Sequence, residues 1–322
     1  MASSRDTANG VHTIDAEYLG IPELAATFLI VDGDRAAFVE NNTAHAVPRM
    51  LEALARQGLR PDQVEWAIVT HAHLDHAAGS SALLEACPNA TLLCHPRAAK
   101  HLADPQKLIA SATKVYGGPE RFRKLYGDIL PIPSERIRAM EDGATVGLGA
   151  RTLRFFHTRG HANHHLCVHD SGSNGIFTGD AFGLTYPRLQ GGGRFSFPTT
   201  SPTDYLPAEA SAVVRQIAEL NPDSVYLTHF GAFSDVGEIA AQLLEGLEVS
   251  ARLYDEAMAS GLRGDPLVSL CRTRLDAWFR EQLRVRGLGD DEGAWQWLEL
   301  DRDLNAQGIA WAVQRAREKA QG

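Results

Sequence analysis

Thr70-His-Ala-His-Leu-Asp-His76 is the stretch on which the reading of this chain turns. It lies where an apolar run, Val64 to Val69, gives way to a helical pattern beginning near His76. Val64, Trp66 and Ile68 alternate, and Ala67 and Val69 fill the positions between, which predicts a largely buried strand ending at Thr70. His71, His73, Asp75 and His76 then project from a turn at that strand's C-terminal end. Imidazole nitrogen and carboxylate oxygen are the ligand atoms that suit zinc, iron or manganese. A single buried histidine is usually a core residue satisfied by a backbone hydrogen bond. Four ligand-type residues within six positions are far harder to explain that way.

Working outward, the same arrangement recurs three times. His161 stands in Gly160-His-Ala-Asn-His-His165, just after the strand-like run Thr152 to His157. Asp180 closes Ile176-Phe-Thr-Gly-Asp180, and His229 follows Val225-Tyr-Leu-Thr228. Ligand residues placed just beyond apolar strands are how an α/β scaffold builds a site along one sheet edge. Further strands are predicted at Ala26 to Val31 and Arg35 to Glu40, across a tight turn at Asp32-Gly33, and at Thr91 to Cys94 and Leu166 to His169. Helices are predicted near residues 44–59, 76–86 and 204–220, with a proline-interrupted helical region over 96–127. Beyond Gly231 the strands stop. Ile239, Leu243, Leu247, Ala251, Tyr254 and Met258 recur at helical spacing, and helical composition continues to Ala320. Residues 1–231 are therefore expected to form the catalytic domain and 232–322 a helical extension.

The ordered set His-x-His-x-Asp-His, Gly-His, Thr-Gly-Asp and a late strand ending in His resembles the metallo-β-lactamase superfamily over roughly residues 15–231. The resemblance implies an α/β protein, an αββα metallo-β-lactamase sandwich with a C-terminal helical extension. It implies two divalent metal ions, zinc first among zinc, iron and manganese. His71, His73 and His161 would hold one ion, Asp75, His76 and His229 the other, with Asp180 between them and His165 bracing the ligands from behind. No family role carries over to His164. Lactamases with a cysteine ligand do not fit, because Asp180 takes that place. Flavo-diiron relatives usually carry Glu where this chain has His73.

The activity so implied is metal-dependent hydrolysis, two ions activating a bridging hydroxide to cleave an ester-like bond in a small-molecule thioester, lactone or related substrate. Asp75 is also the expected catalytic proton acceptor. Tyr186 and Arg188, in the loop after Asp180, are candidate pocket residues, although packing and solvation explain them as well. The rival readings are a mononuclear iron dioxygenase acting on persulfides, which would use fewer of these ligands, a phosphodiesterase, and a non-catalytic metal-binding protein. A net charge of −9 argues against nucleic acid as the main partner. No window approaches the roughly 18 uninterrupted apolar residues of a membrane span, and Met1 to Gly10 lacks the apolar stretch of a secretion signal. Cys87, Cys94, Cys167 and Cys271 show no paired short spacing. A cytoplasmic enzyme is expected, with a tail that either closes the pocket or forms a homodimer face.

Overall fold

The computed structural model describes residues 4–6, 9–115, 117–200, 202 and 204–321. The chain divides into two compact units, one from residues 1–157, 164–179 and 222–234, the other from 158–163, 180–221 and 235–322.

The first unit holds both β-sheets. The first sheet runs in chain order, from β1 (Ser4–Asp6), β2 (Val11–Asp15), β3 (Ala26–Asp32) and β4 (Arg35–Val39) to β5 (Val64–Ile68), β6 (Thr91–Cys94) and β7 (Ile137–Ala139). Its early pairings are antiparallel and those from β4 to β7 parallel. The β3–β4 turn falls where the sequence places it: Asp32 pairs with Arg35, and Gly33 takes a left-handed φ of 62° that a side chain would resist. The second sheet comprises β8 (Thr145–Leu148), β9 (Arg151–His157), β10 (Leu166–Asp170), β11 (Gly175–Gly179), β12 (Ser224–Leu227) and β13 (Gly231–Phe233). It too is mixed, with β11 and β12 parallel.

Of the parallel strands, β4 and β6 are buried on both faces for most of their length, so they read as nearly continuous apolar runs. On β4, Ala36 and Phe38 face one core and Ala37 and Val39 the other. The first of these cores lies under α1 (Val47–Arg56), α3 (Ser80–Ala86) and α4 (Pro96–Ala103), with α2 (Leu74–Ala77) a single turn before α3. Met50, Leu54, Leu83 and Leu102 supply their apolar faces. The second core is shared by the two sheets and centres on three rings. Phe28 meets Phe177 edge-on at 5.3 Å, and Phe177 stacks on Tyr226 at 4.5 Å. Helices α5 (Gln106–Val115) and α6 (Pro119–Tyr126) complete this unit. All four cysteines are buried and no disulfide joins them.

The second unit is helical: α7 (Pro207–Glu219), α8 (Val236–Ala259), α9 (Gly264–Val285), α10 (Glu292–Trp297) and α11 (Glu299–Gln321). The extension expected over 232–322 supplies the last four, and residues 158–163 and 180–221 belong with them. The buried positions of α9, Leu267, Cys271, Leu275, Phe279 and Leu283, recur every four residues. Arg302 on α11 is almost fully buried, bonded to Asp276 at 2.8 Å and stacked over Trp295. Among the described residues no helix is long and apolar enough to cross a membrane.

His95 caps α4 in the first unit, its Nδ1 accepting the Arg97 amide at 3.0 Å, with its ring 4.1 Å from that of His157. Burial first, then the charges of His157 and Arg97, push its pKa down to about 4 from 6.5. Between those values the unfolded chain takes up a proton that the folded chain does not, so stability falls as pH drops from 6.5 towards 4. His95→Asn keeps a capping acceptor and should make that fall shallower. Urea midpoints measured from pH 7 to pH 4 for both proteins check this, and parallel curves would contradict it.

Candidate metal centre

The C-terminal ends of the central strands put the polar residues of the first unit at one sheet edge. β5 ends at Ile68 and leads through Thr70 into His71 and then α2, which carries Asp75 and His76 on its one turn. β12 ends at Leu227, and Thr228 and His229 follow it. Asp75 Oδ2 lies 3.4 Å from His76 Nε2 and 3.3 Å from His229 Nε2. Ligand atoms of all three lie within 4.8 Å of one another. The His71 ring is 4.0 Å from that of His76, 4.3 Å from that of His73 and 4.9 Å from that of His165.

Backbone and carboxylate contacts decide which nitrogen of each ring faces inward. His229 Nδ1 donates to the Leu24 carbonyl at 2.8 Å, and His76 Nδ1 donates to Glu40 Oε1 at 2.9 Å. In a neutral ring each contact leaves Nε2 as the atom bearing the lone pair, aimed at Asp75. Burial would raise the Asp75 pKa, but when the His76 and His229 rings are protonated their charges and hydrogen bonds outweigh it and hold the carboxyl well below the usual carboxylate range. Two imidazole lone pairs converging on a carboxylate repel one another unless a cation or shared proton sits among them. A divalent ion fits this donor set on chemical grounds.

Glu40 is a residue of this cluster that the sequence alone does not single out. In the sequence it is no more than the end of a strand-prone run. Its side chain is 1% exposed, and its backbone takes a left-handed φ of 63°. Oε1 accepts from Thr70 Oγ1 at 2.6 Å and from Thr228 Oγ1 at 3.0 Å, besides His76, while Oε2 accepts the Thr70 amide at 3.3 Å. A signal was available: Glu40-Asn-Asn42 follows an apolar parallel strand, as His71 does.

In the second unit His161 and Asp180 stand together, His161 Nε2 lying 3.4 Å from Asp180 Oδ2. Both line a small cleft whose apolar wall includes Pro198, Ala210, Val214, Leu243 and Leu247. Gly160 is required beside His161: its φ is +115°, and a Cβ there would come within 2.5 Å of Ala210 Cα. Tyr186 is buried, with its hydroxyl 3.2 Å from Asp301 and its ring edge-on to Trp297. Arg188 lies over the same indole at 5.4 Å. Neither lines that cleft among the described residues. His164, for which the sequence supplied no role, accepts the Ala72 amide at its Nδ1.

A sequence profile of the metallo-beta-lactamase superfamily matches residues 24–229. The chain belongs to that superfamily, and its two mixed sheets, flanking helices and C-terminal helices are those of the αββα sandwich with a helical extension. It is 25% identical over 277 residues to the metallo-beta-lactamase fold-containing protein ST1585 of Sulfurisphaera tokodaii, covering 78% of this chain and 98% of that one. The crystal structure of that archaeal protein superposes with a TM-score of 0.65 at 21% identity, over 94% of this chain and 99% of that one. The metallo-beta-lactamase family protein TTHA1429 from Thermus thermophilus gives a TM-score of 0.63 at 20% identity, over 97% and 94%. These two structures share the fold.

If Glu40 sets the ring orientation of His76, Glu40→Gln should lower metal affinity by about 10- to 100-fold with little change in secondary structure. Competition against a chelator of known affinity, with circular dichroism alongside, tests this. Unchanged affinity would leave Glu40 a purely structural residue.

Proposed function

We propose that this protein is a dinuclear metal-dependent hydrolase of an ester-like bond in a small molecule, a thioester, a lactone or a related carboxylic derivative. The observation that carries the reading is the convergence of Asp75, His76 and His229 with their proton-free atoms facing one another. One ion is assigned to these three. The order of the superfamily motif alone assigns the other to His71, His73 and His161, and makes Asp180 common to both. Zinc is the first expectation for a set of imidazoles and carboxylates, with iron and manganese next.

Divalent ions held by such ligands polarise a substrate carbonyl and lower the pKa of a water towards neutrality. The chain's own residues do the rest. Asp75, 25% exposed, is placed to accept a proton, although a carboxylate that also serves as a ligand is a weaker base than a free one. Glu40 holds His76 in one tautomer through the donor at Nδ1. The cleft beside His161 and Asp180 offers an apolar wall that suits an uncharged substrate portion, with Arg159 also on its lining. The protein is proposed to act in the cytoplasm on a small-molecule substrate, with neither nucleic acid nor a membrane as partner and with a homodimer as one use of its helical extension.

Metal analysis of protein purified without chelators should find close to two ions per chain. Asp180→Ala should lower that number and reduce kcat/KM on an active thioester or lactone by more than about a hundredfold, beyond the cost of losing an outer-sphere partner. Full activity in the variant, or a single iron with oxygen consumption, would overturn the dinuclear hydrolase.

A further inference from the structure

His161 stands on a short irregular stretch of the second unit, residues 158–163, and the start of α7 grips that stretch on both sides of the histidine. Pro207 opens the helix, and the residue before it, Leu206, keeps an amide that the helical ladder does not use. That amide donates to the Gly160 carbonyl at 2.9 Å. Gly160 itself lies against Ala210 with no room for a side chain. Arg159 pairs with Glu209 at 3.2 Å.

Asp204, three residues before Pro207, takes hold on the other side. Its Oδ2 accepts the backbone amide of Asn163 at 3.1 Å, and its Oδ1 accepts from the side-chain amide of the same residue. Asn163 Oδ1 accepts in turn from Arg159 Nη2 at 3.3 Å, so both ends of that side chain are engaged. Arg315 of α11 stands 3.5 Å from Asp204 Oδ1 and ties the carboxylate to the last helix. Hydrogen bonds to a carboxylate are roughly twice as strong as neutral ones, whereas an exposed pair such as Arg159 with Glu209 contributes little. Asp204 is therefore the stronger hold. His161 is bracketed, with Gly160 fastened before it and Asn163 two positions after it, and its Nε2 rests 3.4 Å from Asp180 Oδ2.

We propose that Asp204 is a positioning residue for the metal ligand His161, acting through Asn163. The proposal rests on the dinuclear reading for the ion it affects, but not for the placing of the loop. The Asp204 side chain is 20% exposed, so replacing it leaves the apolar core of the unit as it is.

The test compares the full chain with Asp204→Ala and with the exchanged pair Asn163→Asp and Asp204→Asn, in which amide and carboxylate change places and their bond can form again. Zinc affinity is read by competition with a chelator, and the amides of residues 158–163 by hydrogen exchange. Asp204→Ala should weaken one ion by about 10- to 100-fold, the range for losing an outer partner of a ligand. It should leave the ion assigned to Asp75, His76 and His229 unchanged and speed exchange at residues 158–163. The exchanged pair should recover both properties. Wild-type affinity for both ions in Asp204→Ala would overturn the proposal, as would an exchanged pair that recovers neither property. Loss of both ions, with faster exchange throughout α7 and α11, would overturn it too, by showing a general loosening. A single ion per chain in the wild type would sink the dinuclear reading by itself. Weakened by Asp204→Ala, that ion would uphold the positioning role; untouched, it would overturn that role as well.

Discussion

The Glu40 carboxylate, shut away from water, accepts hydrogen bonds from Thr70, Thr228 and His76, and the geometry of the site depends on that arrangement. A buried charge is costly unless its oxygens are filled with donors, so the donors must be where they are. They come from three places: the end of β5, the end of β12 and the turn α2. β5 belongs to one sheet and β12 to the other, and one carboxylate therefore ties the two sheets together at the edge where the ligands emerge. The left-handed backbone at Glu40 costs on the order of 1–3 kcal/mol, and the packed surroundings hold it there. Threonine suits two of the donor positions because its hydroxyl is fixed close to the backbone, and a β-branched residue also ends a strand well.

The same constraint explains the glycines in the ligand-bearing segments. At Gly179, between Thr178 and Asp180, a Cβ would lie 2.4 Å from Thr70 Oγ1 and 2.6 Å from His165 Nε2. Thr70 is held by Glu40, so it has nowhere to move, and the φ of +49° is unfavourable to a side chain as well. At Gly79 a Cβ would lie 2.3 Å from the Asn41 carbonyl oxygen, where the loop after β4 presses on the start of α3. Glycine in these segments marks close approach of backbone to the polar cluster.

How much of this could be read beforehand depends on what each residue type announces. The candidate ligands stood out because four ligand-type side chains in six positions are hard to explain as core residues, and the order of the family motif then pointed to the others. Other elements were legible too: α8 was expected from the spacing of Ile239, Leu243 and Leu247, and β5 from the alternation of Val64, Trp66 and Ile68. The strands passed over have local reasons. β7 and β13 are three residues long, too short for any period to show. β8 contains Gly147, which breaks the pattern, and β2, Val11–Asp15, is buried throughout even at His12 and Thr13, so its polar residues hid it. The helix expected from residue 44 begins at Val47, because Thr43 to Ala46 form a turn leading into it. Glu40 stayed hidden for a different reason: a glutamate at the end of a strand is ordinary until its burial is known.

Tyr186 and Arg188 show the opposite limit. Position in the chain, just after a ligand, made them candidates, yet their side chains meet Asp301 and Trp297 on helices more than 100 residues later. Their packing is of the kind that also explains them without a substrate, and position in the chain alone does not distinguish the two readings. A small apolar groove beside α2, in the first unit, makes the complementary point. Leu74 and Ala77 of that turn, Leu102 of α4, Leu108 of α5 and Ile129, Leu130 and Ile132 of a loop line it, and no local pattern distinguishes those residues from core. Ligand chemistry is written in residue types that cost free energy to bury and so stand out in a sequence. An apolar binding surface is written in the same residues as the core, and only the fold shows which of them still face open space.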